Sequence, residues 1–193
     1  SKSKVLTCFK AYDVRGELGV DFDVSIAYRI GRAVAQHFGV GEVVIGRDAR
    51  QTSLELMEAV TLGICDAGSK VLDLGLAGTE EMYWAVTEFK SLAGIMVTAS
   101  HNPINYNGLK IVKSGSHPLD DTDDFQVIKR LAETEDWGEG TGLPNVEDIS
   151  VIARAKYVKR VLSFVSIDAL RPLRVVLNSG NGAAGPTLDA IIM

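Results

Sequence analysis

The chain has 193 residues, of which 46% are hydrophobic and 23% charged, enough to bury a real core in one domain, or in one domain and part of another. A net charge of -5, with no basic run and no interleaved aromatic stripe, excludes an electrostatic footprint for nucleic acid. Small anions remain compatible with a local cluster of Lys and Arg. No stretch reaches the apolar length that crosses a bilayer, and Ser1-Lys2-Ser3-Lys4 lacks the hydrophobic segment of a signal peptide, so a cytoplasmic protein without a membrane partner is expected. Cys8 and Cys65 have no metal-type spacing and read as reduced, buried small residues.

Phe9 to Gly16 mixes aromatic, acidic and basic residues and fits neither a clean helix nor an alternating strand. It reads as a functional loop, or as one in which Tyr12 packs and Asp13 pairs with Arg15 at the surface. Asp23 can cap a helix to about Phe38, with Ile26, Ile30, Ala33, Val34 and Phe38 inward, Arg29, Arg32 and His37 on the wet face, and Gly39 as its stop. Glu42 to Gly46 reads as a strand, followed by the polar loop Arg47 to Ser53. In the helix beyond it, Thr52 or Ser53 is the expected cap, Glu55 lies in the first turn and Gly68 marks the end. Arg47, Asp48 and Arg50 read as a local ion-pair set.

Lys70 to Leu74 is a second strand, and Gly78-Thr79-Glu80-Glu81 starts a helix with Thr79 as cap and both acids structural. The apolar run Ala93 to Val97 reads as a buried strand that delivers Thr98-Ala99-Ser100-His101-Asn102-Pro103 at its carboxyl end, where open α/β sheets place their chemistry. A serine held there beside an imidazole can act as nucleophile or phosphate carrier. Tyr106 to Val112 is expected to turn at Asn107-Gly108 into a further strand, with Lys110 near Ser100. Asp120, Asp121, Asp123 and Asp124 read as a solvated, acid-rich helix start and not as a metal site. Trp137 to Asn145 reads as a linker, Ser150 as the cap of a further helix, and Arg174 to Asn178 as a new strand. Ser179 to Pro186 can pass for a phosphate cradle, but it has no P-loop Lys and reads better as a tight strand-to-helix crossing.

These motifs, in this order, resemble the amino-terminal part of the α-D-phosphohexomutases, the family of phosphomannomutases and phosphoglucomutases. The resemblance rests on Phe9 to Gly16, Gly46 to Ser53, Thr98 to Pro103 with Gly108 and Lys110, and Val175 to Pro186; the stretches at Gly78 and Asn178 are most similar to bacterial phosphomannomutases that supply GDP-mannose. It implies an α/β fold, a mixed sheet sandwiched between helices over residues 1–140, with a linker and the incomplete start of a second similar domain over 141–193. It implies a phosphoserine at Ser100, with His101, Lys110 and Arg15 around it, and Tyr12 and Asn102 as substrate or phosphate contacts. The implied reaction passes a phosphoryl group between Ser100 and a hexose phosphate (mannose phosphate or glucose phosphate) through a bisphosphate, with Lys110 or His101 moving the hydroxyl proton.

Magnesium is the implied cofactor, bound here only through the Ser100 phosphate, because the family's Asp-Gly-Asp-x-Asp-Arg loop is absent from this sequence, as are its sugar-selecting loops. The chain alone is therefore expected to be inactive. A non-catalytic phosphate-binding module is the alternative. A serine hydrolase built on Ser100 and His101 is disfavoured by the lack of a Gly-x-Ser-x-Gly elbow.

Overall fold

A computed structural model describes residues 4–193. The first strand, β1 (Val14–Glu17), leaves the 9–13 turn, and α1 (Val24–Phe38) begins where the Asp23 side chain accepts the Ile26 N–H at 2.8 Å. Gly39, at φ 87°, stops α1. Next come β2 (Glu42–Arg47), α2 (Ser53–Asp66), β3 (Lys70–Leu76), α3 (Thr79–Glu88), β4 (Ala93–Val97), β5 (Tyr106–Lys113) and the short β6 (His117–Pro118). After them lie α4 (Gln126–Thr134), β7 (Val146–Asp148), α5 (Ser150–Leu162) and α6 (Ala184–Ile192).

The strands form one mixed sheet in the order β1-β5-β4-β2-β3-β7, with β6 beside the far end of β5. β4, β2, β3 and β7 are mutually parallel, while β5 runs antiparallel to both β4 and β1. Side chains alternate across the pleat. Ile45, Ile95, Val97, Leu109 and Ile111 join α1, α2 and α4 in one core, while Val44, Leu72, Met96 and Val112 join α3 and α5 in the other. The sheet is therefore covered on both faces, as the α/β sandwich reading requires. Helices α1 and α2 approach at Gly31 and Gly63, where an added Cβ would strike Val60 O and Tyr28 O respectively.

Several local expectations are corrected. Arg29 and Arg32 are buried, not wet: Arg29 Nε donates to Ala132 O at 2.7 Å, and Arg32 donates to Gly138 O at 2.6 Å while lying over Trp137. The α4 end and the segment after it leave carbonyls without helical donors, and the two guanidinium groups satisfy them. His37 meets Asp124, which is itself buried: Asp124 accepts from Lys113 at 2.9 Å and pairs with His37 at 2.8 Å. Asp120, Asp121 and Asp123 are exposed at a helix start as expected, and Asp124 alone departs from that reading by anchoring the corner.

The expected caps also differ. At α3 the Gly78 N–H donates to the Glu81 carboxylate at 2.6 Å, so Gly78 and not Thr79 holds the cap position. At α5 Ser150 is the first helical residue and its N–H donates to Asp148 at 2.9 Å. Asn107-Gly108 is no turn but lies inside β5, where a Cβ on Gly108 would strike Val14 O of β1. The strand β7, which follows the linker and extends the sheet beside β3, is unanticipated, and Ile149 and Ala153 just beyond it complete the second core. The expected strand Arg174 to Asn178 does not form; Val175, Val176 and Leu177 are exposed.

Candidate active site

Strand β2 connects onward through α2 to β3 on one side, whereas β4 connects to β5 on the other. The carboxyl ends of β2 and β4 therefore flank the point where connections diverge, the usual crevice of an open α/β sheet. The loop after β2 is tied to the end of β4 by the Asp48 N–H, which donates to Val97 O at 3.0 Å, and the loop after β4 is tied to β5 by the Thr98 N–H, which donates to Gly108 O at 2.9 Å.

Asp48 is the anchor. It accepts the Thr98 hydroxyl at 2.7 Å, the Ser53 hydroxyl at 2.5 Å and the Arg50 N–H at 3.0 Å. Ser53 thus spends its hydroxyl on Asp48, and Thr52 sits at the α2 cap position without capping through its side chain. The fully buried Asn107 amide donates to both Thr52 and Ser53 oxygens, at 2.9 and 3.0 Å. Buried polar groups that satisfy one another in this way rigidify the loops they join.

Ser100 rides on this base. Its N–H donates to Thr98 Oγ1 at 3.0 Å, its carbonyl accepts from Arg50 at 3.0 Å, and the residue is exposed with φ 52°. A left-handed serine is uncommon, and such backbone strain gathers at functional sites. Asn102 turns inward and donates to Ala99 O at 2.8 Å, a loop-closing role, while His101 beside Ser100 is exposed.

Arg15 and Lys110 come from the neighbouring strands β1 and β5. Arg15 lies opposite Gly108, whose carbonyl holds Thr98, and Lys110 lies opposite Met96 on β4. Asp13 joins them, with Arg15 Nε at 3.0 Å and Lys110 Nζ at 3.7 Å. Of the surface reading of the 9–16 segment, the Asp13–Arg15 pair forms, but Tyr12 does not pack and stands 93% exposed at the tip of the turn. A groove of about 410 Å³ runs from Tyr12, Asp13 and Lys110 to Tyr83, Ser116 and Phe125. Burial, with the charges of Asp13 and Glu80, pushes the Tyr83 phenol up from its ordinary value.

The residues present do not make a magnesium site. Both Asp48 oxygens are occupied by donors, and among the described residues no group of three acids, histidines or cysteines is arranged to hold a metal. Glu81 is structural, buried against the Gly78 N–H and the Thr187 hydroxyl. The Ser179 to Pro186 loop leads into α6, but no strand stands beneath it. Cys8 and Cys65 are buried free thiols, and burial pushes Cys8 up to about 11.

Residues 6–138 match the family described as phosphoglucomutase/phosphomannomutase, alpha/beta/alpha domain I. The chain belongs to that family. It is 44% identical over 186 residues to a phosphomannomutase of Salmonella montevideo, covering 96% of this chain and 41% of that protein. It is also 44% identical over 188 residues to a phosphomannomutase of Escherichia coli K12, with 97% and 41% covered. A crystal structure of a phosphoglucomutase/phosphomannomutase family protein from Burkholderia thailandensis superposes with a TM-score of 0.81 at 32% identity, over 95% of this chain and 41% of that one. The chain therefore spans about two fifths of the length of these family members.

The local Asp48–Arg50 pair expected from sequence forms, at 3.5 Å, but the hold of Asp48 on Thr98 and of Arg50 on the Ser100 loop was missed by sequence reasoning. The available signal was their position, directly after a buried strand at the diverging point of the sheet. Among the described residues, no helix is long and apolar enough to cross a membrane.

Proposed function

We propose that this chain is the amino-terminal, phosphoserine-bearing part of a phosphomannomutase. Residues 1–140 are its first domain, and 141–193 are the linker and opening of a second, with α5 resting on the first. What carries the reading is the extent of the likeness, 44% identity across 96% of the chain to a protein named phosphomannomutase. The exposed, fixed Ser100 supports it chemically.

In this reading the bond between Ser100 Oγ and phosphorus breaks as a new phosphorus–oxygen bond forms to a hydroxyl of mannose phosphate. Lys110 or His101 takes the hydroxyl proton, and Ser100 Oγ is left to regain one. Arg15 and Lys110 balance the charge of the phosphoserine, about -1.5 to -2 at neutral pH. Tyr12 contacts the sugar from its exposed turn, and Asn102 holds the loop closed. The hexose 1,6-bisphosphate turns over and returns its other phosphoryl group to Ser100, so that mannose 6-phosphate and mannose 1-phosphate interconvert in a cytoplasmic, GDP-mannose-supplying enzyme. Magnesium belongs to this reading only as an ion whose remaining ligands come from outside these residues. The chain by itself accordingly gives no turnover, which is also what a non-catalytic module would show.

Peptide mass spectrometry on an enzyme of the relatives' full length that carries this chain tests the assignment. Phosphate is expected on Ser100 and should vanish in Ser100→Ala with the fold intact. Stoichiometric phosphate on another serine, with Ser100 unmodified, would overturn it.

A further inference from the structure

We infer that Arg50 is a positioning residue for phosphoryl transfer, acting through the backbone of the Ser100 loop; this rests on Ser100 being the phosphoryl carrier. The segment from Thr98 to Asn105 has no regular structure of its own, yet it must hold Ser100 at φ 52°. Arg50 supplies the restraint from outside. Its guanidinium donates to the carbonyls of Ser100 at 3.0 Å, Asn102 at 2.5 Å, Pro103 at 2.8 Å and Tyr106 at 3.2 Å. Two of these come from one terminal nitrogen and two from the other, the planar fork that guanidinium offers and an ammonium does not.

The fork is itself aimed. Arg50 Nε lies 3.5 Å from Asp48 Oδ2, and its own N–H is fixed on Asp48 Oδ1. The same carboxylate holds the Thr98 hydroxyl that receives the Ser100 N–H. Asp48 and Arg50 thus grip Ser100 from its two sides, one through the amide and one through the carbonyl.

Peptide geometry gives this grip a chemical consequence. Every described peptide bond is trans, so a carbonyl turned toward Arg50 turns the following N–H the opposite way. Holding the Ser100 and Pro103 carbonyls therefore directs the His101 and Ile104 N–H groups away from the guanidinium, toward the side open to solvent. Two backbone donors are set in advance on the loop that carries the serine, where a dianionic phosphate needs them. Arg50 contributes through this preorganisation, and its own donors are consumed by the loop.

The test uses the full-length enzyme with Arg50→Lys and Arg50→Ala. Wild-type protein is first incubated with a hexose 1,6-bisphosphate and examined for phosphate on Ser100; if none is found there, the carrier reading fails, separately from the role of Arg50. Given a phosphorylated wild type, Arg50→Lys keeps a positive charge beside Asp48 and should retain its fold by circular dichroism. Its kcat should fall about 100-fold, because the loop loses its geometry, while KM for hexose phosphate stays within about threefold. Added guanidinium ion at millimolar concentration should recover part of the lost kcat in Arg50→Ala and none in Arg50→Lys, whose side chain fills the space. Wild-type kcat in Arg50→Lys overturns the inference. So does a lysine variant that fails to fold combined with an alanine variant that guanidinium does not restore, since that is the behaviour of a residue needed only for stability.

Discussion

Two loops in this chain that carry serine and asparagine follow stretches that read as strands, and only one is held by the element beneath it. The Ser100 loop leaves β4, a strand buried along its whole length, and is tied to β2 through Asp48 and to its own carbonyls through Arg50. The Ser179 to Pro186 loop leaves Arg174 to Asn178, which has no strand partner among the described residues and lies exposed. Its fixed features are local, such as the Gly180 N–H on the Asn178 side chain at 2.9 Å. A loop motif becomes a site only when the element beneath it is held, because precise geometry is inherited from packing and not from loop composition.

The sharpest way to break this comparison is hydrogen exchange on the 193-residue chain. Amides of Ile95 and Val97 should exchange at least about a thousandfold more slowly than those of Val175 to Leu177, since core strands open only globally and unpaired segments open freely. Equal protection would mean that 174–178 is as well held as β4.

A mutational contrast follows at smaller scale. Ile95→Ala empties a fully buried position between the helices and the sheet and should lower unfolding free energy in urea by about 3 kcal/mol. Val176→Ala, at a side chain 96% exposed, should change it by no more than about 0.5 kcal/mol. Matching losses would show that the tail contributes to the same core.

The smallest effect concerns pH. At Asp124 burial pushes the carboxyl up, but hydrogen bonds from His37 and Lys113 and the Asp120 N–H outweigh it and hold the group at about 2, below its ordinary 3.8. A carboxylate depressed in the folded state stabilises fully above its unfolded value and loses that contribution as pH falls through its folded one. The wild type should therefore lose stability between about pH 4 and pH 2 beyond what Asp124→Asn loses over the same range. Thermal melts at both pH values measure the difference, and parallel curves would remove Asp124 from the acid sensitivity of this corner. The tail has no comparable buried acid, so its exchange should be unaffected by the substitution.

Much of this was legible in residue order. Asp23 and Gly39 bound α1 through local chemistry, a side-chain acceptor for a free N–H and a residue that tolerates φ 87°. The unbroken apolar run Ala93 to Val97 marks a strand buried on both faces, and the serine at its carboxyl end follows from strand length alone. Arg29 and Arg32 were illegible for the opposite reason: a helical wheel has no knowledge of the carbonyls that the end of another helix and the segment after it bring to meet them. Likewise β7 is three residues long, too short for alternation to register, and exists because the edge of β3 is available to pair.

By itself the sequence determined the alternation of strands and helices and the strand that carries Ser100, since these depend on propensity, period and local capping. Only the tertiary structure decided that Asp48 and Arg50 serve the loop and not the surface, that Arg15 and Lys110 share Asp13, and that residues 174–178 remain without a partner. Those outcomes depend on which segments lie beside one another across 50 or more residues of chain, as Arg50 Nη2 and Ser100 O do at a separation of 50. Hydrogen bonds between such groups are decided by the geometry of the sheet that carries both ends.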